Sequence, residues 1–257
     1  MKNALFDLGG RLALVTGSSK GIGHAIARGL LGAGASVILN ARNADTVDAA
    51  RRELEQEFGE ARVSAAVFDV TDREAVTEAI DRIENDIGAI DILVNNVGMQ
   101  FRKTLEDFPE ETWRELMATN LDSVFFVGQA TARHMIPRGR GKIINVCSVQ
   151  SELGRPGIAP YAASKGAVKM LTKGMCIDWG GHGLQINGLG PGYFKTELNQ
   201  ALVANPDFDD WVRAHTPAGR WGEVEELQGA AVFLASDASS FVNGHILYVD
   251  GGITSTL

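Results

Sequence analysis

Cysteine is scarce in this 257-residue chain, with only Cys147 and Cys176 present. Two thiols cannot build a disulfide framework, and no Cys/His cluster has the spacing of a zinc site. A reducing compartment and a metal-independent chemistry are therefore expected. Long apolar runs are missing as well. Near the N-terminus only residues 12–15 are continuously apolar, too brief for a signal-peptide core and far short of a membrane span. The expected setting is the cytoplasm, with no membrane partner. Positive charge is in deficit, with 24 Lys and Arg against 32 Asp and Glu, and the net charge of −8 argues against a nucleic-acid partner. Repeats, low-complexity tracts and linkers are also lacking. What is present, 45% hydrophobic and 22% charged residues, is the composition of a globular chain able to bury a full core.

Segments 11–15, 36–39, 62–68 and 90–94 are short, β-branched-rich and bounded by turn signals, as buried strands are. Between them, 22–31, 45–58 and 72–87 carry apolar residues at mixed three- and four-residue spacing, with Thr71-Asp72 as a cap for the third. The second half continues the alternation, with a helical stretch 110–135, a strand 142–147, a helix from about 161 to 179, a strand 184–189, a helix near 223–234 and a strand 245–249. This pattern predicts one α/β domain over 1–257, a Rossmann-type doubly wound parallel sheet with helices on both faces. The polar and aromatic segment 193–216 exceeds the usual connection length and is a candidate substrate lid.

Directly after the first strand comes Thr16-Gly17-Ser18-Ser19-Lys20-Gly21-Ile22-Gly23, opening into a helix. Glycines let the backbone turn sharply and approach a pyrophosphate, whose charge is held by free N–H groups and the positive end of the helix dipole. The spacing is Gly, three residues, Gly, one residue, Gly, rather than the commoner G-x-G-x-x-G. The second strand ends Leu39-Asn40-Ala41-Arg42, where an NAD-selecting fingerprint would carry an acid. Neutral Asn40 leaves room for a 2′-phosphate, Arg42 can pair with it bidentately, and Lys20 adds a second cation. These residues favour NADP(H), with NAD(H) as the alternative.

Tyr161 and Lys165 stand four apart in a helical segment, which puts both side chains on one face. A tyrosine whose phenolate is favoured by a neighbouring ammonium can take a proton from an alcohol as hydride leaves, or give one to a carbonyl as hydride arrives. Ser148, at the end of the preceding strand, is set to hydrogen-bond the reacting oxygen. Cys147 beside it lacks a histidine partner and reads as core packing.

Taken together, Thr16 to Gly23, Asp69, Asn95-Asn96-Val97-Gly98, Asn120, Ser148, Tyr161 to Lys165, and Pro191-Gly192 followed by Thr196 make the whole chain resemble the classical short-chain dehydrogenase/reductase family. The resemblance implies that Asp69 and Val70 contact the adenine, that Asn96, Val97 and Gly98 line the cofactor cleft, and that Pro191, Gly192 and Thr196 meet the nicotinamide end. It implies that Lys165 also binds the nicotinamide ribose and that Asn120 holds a water linking Lys165 to solvent. It further implies a homo-oligomer, commonly a tetramer. Val97 departs from the family's usual alanine but is still small and apolar.

Within the family, the segments 147–155, 165–175, 191–197, 216–222 and 241–244 look like those of members that interconvert D-gluconate and 5-dehydro-D-gluconate. A small-molecule sugar acid needs a cation for its carboxylate and polar groups for its hydroxyls. Arg102 suits the first need, and Gln150 and Glu152 the second. Two alternatives are a 3-oxoacyl-thioester reductase, whose acidic carrier would dock on Arg138, Arg140 and Lys142, and a nonenzymatic dinucleotide sensor.

Overall fold

The computed structural model describes residues 4–256. Its seven strands are β1 (Leu12–Val15), β2 (Ser36–Ala41), β3 (Val63–Val67), β4 (Ile90–Asn95), β5 (Gly141–Val146), β6 (Leu184–Pro191) and β7 (Ile246–Val249). All neighbouring pairs are parallel, in the order β3-β2-β1-β4-β5-β6-β7. Parallel pairing demands crossovers, and the helices that make them cover both faces. Along β1 the core divides with a period of two: Ala13 and Val15 pack with Leu30, Leu31, Leu54 and Leu234 on one face, Leu14 with Ile80, Val127, Met135 and Val168 on the other. The doubly wound sheet is thus as the alternation implied.

The helices that matter for the site are α1 (Gly21–Gly32), α2 (Ala44–Phe58), α3 (Arg73–Asp86), α4 (Glu110–Met117), α5 (Ser123–Arg138), α6 (Ala159–Trp179), α7 (Gln200–Val203), α8 (Pro206–His215) and α9 (Gln228–Ala235). Asp72 caps α3, its carboxylate accepting from the Glu74 and Ala75 N–H groups at 3.0 and 3.1 Å. The strand order reverses between β1 and β4. A crevice opens there beyond the carboxyl ends of the strands, which is where ligands bind in open α/β sheets.

Three segments differ from the pattern reading. The expected helix 110–135 is α4 and α5 joined by a π-helical turn, Ala118–Asp122, and runs on to Arg138 past Pro137. The extra residue of that turn is held by Asn120, whose buried amide accepts from Met99 N at 2.7 Å and donates to Met99 O at 2.9 Å. The segment 193–216 contains α7 and α8 rather than an irregular loop. Residues 224–227 form a tight 3-10 turn before α9. Among the described residues no helix is long and apolar enough to cross a membrane.

Candidate active site

The turn after β1 is fixed by side chains and carbonyls of its neighbours. The Asn96 amide donates to the Thr16 and Gly17 carbonyls, both at 3.0 Å, and the Thr16 hydroxyl donates to Val94 O at 3.3 Å. Gly17 and Gly21 have φ of +60° and +59°, conformations that suit glycine. A Cβ at Gly23 would come within 2.4 Å of the Asn96 amide nitrogen and 2.5 Å of Gly17 O, so this third glycine is what lets α1 pack under the turn. Lys20 at the N-cap of α1 makes no side-chain capping bond, which leaves the first N–H groups of the helix facing the crevice.

From this turn a cleft of about 880 Å³ runs across the sheet edge to Tyr161. Its walls include Gly17, Ser19, Lys20, Gly21 and Ile22 of the turn, then Asn40, Arg42, Asp69 and Val70, then Asn96, Val97 and Gly98, and at the far side Ser148, Gln150, Tyr161, Lys165, Pro191, Gly192 and Thr196. The residues expected from the sequence to meet a dinucleotide are therefore brought together, Gly23 standing just beneath. A cradle free of side chains, an uncapped helix N-terminus and the buried, unpaired hydroxyl of Thr196 all fit a bound dinucleotide.

Asn40 and Arg42 have different duties. The buried Asn40 amide accepts from Gly17 N at 3.3 Å and donates to Ala66 O and Phe68 O at 3.1 Å, so its side chain ties the turn to β2 and β3. The role expected for it at the 2′-position is passive. Arg42 is exposed, with a guanidinium nitrogen 3.6 Å from Asp69 Oδ2. The other Asp69 oxygen accepts from the Thr71 N–H and hydroxyl at 2.9 and 2.7 Å. Lys20 reaches across the mouth to Glu197 at 2.5 Å.

At the far end α6 begins at Ala159, with Pro160 in its first turn, and presents Tyr161 and Lys165 to the end of β5. Lys165 Nζ donates to Val146 O at 2.7 Å and lies 6.0 Å from the centre of the Tyr161 ring. Ser148 lies within hydrogen-bonding reach of the Tyr161 phenol. Its hydroxyl also accepts from Gln150 N at 3.1 Å, so it serves as a cap as well. The sequence leads one to expect that Lys165 lowers the tyrosine pKa, but burial dominates. It raises Tyr161, against smaller opposing effects of Ser148 and Arg102, and it drives the Lys165 ammonium down to about 8. The protein frame holds Tyr161 as the neutral phenol. Burial likewise raises the Cys147 thiol to about 11, which disposes of a thiolate.

Several expected residues lie off the cleft walls. Asn120 is buried behind them, bonded to Met99 and to Ser164 Oγ at 3.0 Å, and its Oδ1 and the Lys165 Nζ both lie close to Gly98. Arg102 sits at the rim, donating to Gln100 Oε1 at 2.7 Å. Glu152 turns away entirely: it pairs with Lys169 and accepts from Tyr248 OH at 2.8 Å, so it is not available to read a hydroxyl. The basic trio also dissolves as a docking patch. Lys142 is buried against Ser239 at 3.2 Å, Arg138 is bound to Glu84 at 2.5 Å and Arg140 pairs with Asp91 at 3.2 Å. All three stand around the start of β5, the sheet edge opposite the cleft.

Sequence reasoning does not single out Tyr193 and Arg155. Tyr193 packs edge-on against Phe208, Trp211 and Trp221, with centroid distances of 5.6–5.8 Å. Its hydroxyl receives the Gln150 amide at 3.4 Å. Arg155 lies over the Phe208 ring at 5.0 Å. Both sit in irregular backbone, where no periodic pattern marks a residue as inward-facing.

A dinucleotide-sized crevice ending at a tyrosine, a serine and a lysine defines a nicotinamide-dependent oxidoreductase. The comparisons with known proteins agree. A family model described as Enoyl-(Acyl carrier protein) reductase matches residues 17–254. The chain is 63% identical over 253 residues to the gluconate 5-dehydrogenase of Gluconobacter oxydans, covering 98% of both, and 53% identical over 251 residues to the 5-keto-D-gluconate 5-reductase of Escherichia coli K12, again covering 98% of both. A solved structure of a gluconate 5-dehydrogenase from Burkholderia cenocepacia, in complex with NADP and tartrate, superimposes with a TM-score of 0.96 at 58% identity over 99% of each chain. This chain belongs to the short-chain dehydrogenase/reductase family.

Proposed function

We propose that this protein interconverts D-gluconate and 5-dehydro-D-gluconate with NADP(H). The observation that carries this reading is the single cleft, which joins a glycine turn and Arg42 at one end to Tyr161, Ser148, Gln150 and Arg155 at the other. One end suits a phosphorylated dinucleotide, and the other suits a hydroxylated anion. The relatives named for gluconate chemistry support the substrate class.

The turn from Gly17 to Gly23 and the N-terminus of α1 would hold the pyrophosphate, Arg42 and Lys20 the 2′-phosphate, Asp69 and Val70 the adenine side, and Lys165 with Thr196 the nicotinamide side. When bound, the nicotinamide supplies or accepts the hydride at the sugar carbon. Tyr161 donates its phenolic proton to the carbonyl oxygen in reduction and is left as the phenolate; in oxidation it must first lose that proton to solvent, and the phenolate then accepts the alcohol's proton. Ser148 donates a hydrogen bond to that same oxygen and orients it. Lys165, anchored on the Val146 carbonyl, keeps a positive charge close to the phenol below its lowered pKa of about 8.

The reading extends to assembly and setting. Trp113 on α4, Phe125 on α5, and Met170 and Ile177 seven apart on α6 are exposed, and Phe241 before β7 is fully so. Apolar side chains left bare on adjoining helices support a homo-oligomer, a tetramer in this reading. Two free thiols suit the cytoplasm. The segment 193–216 serves as the substrate lid of one 257-residue domain.

The test follows NADPH absorbance with purified protein and 5-dehydro-D-gluconate, beside NADH and an acetoacetyl thioester. Rapid oxidation with NADPH and the sugar acid alone is the expected result. Turnover confined to the thioester would overturn the substrate assignment, and equal rates with NADH would overturn the cofactor preference.

A further inference from the structure

In a chain whose acids outnumber its bases, most arginines have found an acid or a carbonyl. Arg155 has not. Among the described residues it forms no ion pair, and its Nε is buried without a hydrogen-bond partner. Its guanidinium carbon lies over the Phe208 ring of α8, 5.0 Å from the ring centre. A guanidinium carries five N–H donors in a planar fork, so a contact with a ring and one hydrogen bond leave others that match a carboxylate. Arg155 lines the cleft beside Tyr193, with which it hydrogen-bonds, and near Gln150, whose Oε1 is likewise buried and unpaired. Arg102 at the rim adds a second positive charge; burial and then the nearby Arg155 lower its pKa, with only Tyr193 and Tyr161 opposing.

Two guanidinium groups beside the Tyr161 phenol, one half-buried and one at the exposed rim, favour an anion entering with the substrate. The chain holds this pair at the Tyr161 end of the cleft, away from Arg42 and Asp69, so the dinucleotide's 2′-phosphate is not that anion. We propose that Arg155, seated against Phe208 of α8, is the specificity-determining residue that binds the substrate carboxylate. The proposal rests on the sugar-acid reading above and sharpens it: Arg155, rather than Arg102 alone, selects acids over neutral polyols. D-Gluconate carries its carboxylate four carbons from the reacting C5, so one end is gripped while the other reacts.

The experiment measures calorimetric binding of two carboxylate probes, tartrate to the NADP+-loaded enzyme and D-gluconate to the NADPH-loaded enzyme, pairs that cannot react, alongside D-gluconate turnover with NADP+. Arg155→Gln is expected to weaken both probes and raise KM for D-gluconate by roughly 10- to 100-fold, the usual consequence of losing a hydrogen bond to a charged group. NADP+ affinity and kcat should change far less. Arg155→Lys should recover part of the loss. Phe208→Leu separates packing from charge, since it disturbs α8 while keeping the guanidinium and is expected to cost less acid binding than Arg155→Gln. An unchanged D-gluconate KM in Arg155→Gln would overturn the assignment of Arg155 and leave the sugar-acid function standing. Arg155-dependent tartrate binding without D-gluconate turnover would support the carboxylate site and overturn the function. Failure of the wild-type enzyme to bind either probe would overturn both.

Discussion

The two ends of the cleft are built on opposite principles. At the cofactor end, polar atoms of the turn are spent inside the protein: Asn40 makes three side-chain bonds, Asn96 two, and the Ser18 hydroxyl donates to Val15 O at 2.7 Å. What faces the crevice is mostly bare backbone. At the substrate end, Gln150 Oε1 and Arg155 Nε are buried and unpaired, while aromatic rings and surface ion pairs such as Lys20–Glu197 hold α7 and α8 in place. A rigid, self-satisfied cradle suits a ligand common to many enzymes. Unspent donors and acceptors suit a ligand that must be discriminated, because a wrong substrate leaves them unpaired.

The sharpest way to break this contrast is at the chemistry both ends serve. Tyr161→Phe removes one oxygen from a half-buried phenol and should leave folding and NADPH affinity intact, since the cradle does not depend on it. Turnover should fall by about 10²- to 10⁴-fold, the usual range for a lost general acid. Stopped-flow absorbance with a parallel NADPH titration checks both halves, and a loss below tenfold would remove Tyr161 from proton transfer.

Gly23→Ala tests the cradle itself. The new Cβ would meet Asn96 and the Gly17 carbonyl at 2.4–2.5 Å, and overpacking of this kind typically costs about 1–3 kcal/mol. The melting temperature and the NADPH dissociation constant should both suffer, while any residual turnover should keep its preference for D-gluconate over a neutral hexitol. A change in that preference with normal NADPH binding would mean the two ends are not separable.

The same division governs what can be read from the sequence. The cofactor end is legible because a strand, a glycine turn and a helix follow one another within 12–32, and the catalytic pair is legible because a tyrosine and a lysine four apart on α6 must share a face. Segment 142–146 announces its strand but not that Lys142 is buried within it. Arg155, Tyr193 and Trp221 come from irregular segments far apart in the chain, and only the packing of α8 brings them together. Glu152 misleads for the same reason. Its position soon after Ser148 suggests the site, but the 3-10 turn Val149–Ser151 directs it towards Lys169.

Two buried lysines allow a finer comparison. Lys142 and Lys165 stand at opposite ends of β5, each with one hydrogen bond given, to Ser239 and to Val146, and burial drives each ammonium from 10.5 to about 8. Between those two values the unfolded chain binds more protons than the folded one, so each contributes a stability that grows as pH rises through that window. Below about pH 8 both states are protonated and the burial cost is borne in full. Replacing either by methionine should therefore flatten the rise in melting temperature above about pH 8. It should also give a gain of a few degrees near neutrality, 1 kcal/mol corresponding to about 2–4 °C in a chain of this size. Calorimetry across that range measures it. The two variants part company in activity: Lys142→Met, remote from the cleft, should turn over like the wild type, whereas Lys165→Met should be stable and nearly inert. If Lys142→Met lost activity as well, β5 would be transmitting strain from one edge of the sheet to the other, and the independence of the structural and catalytic lysines would fall.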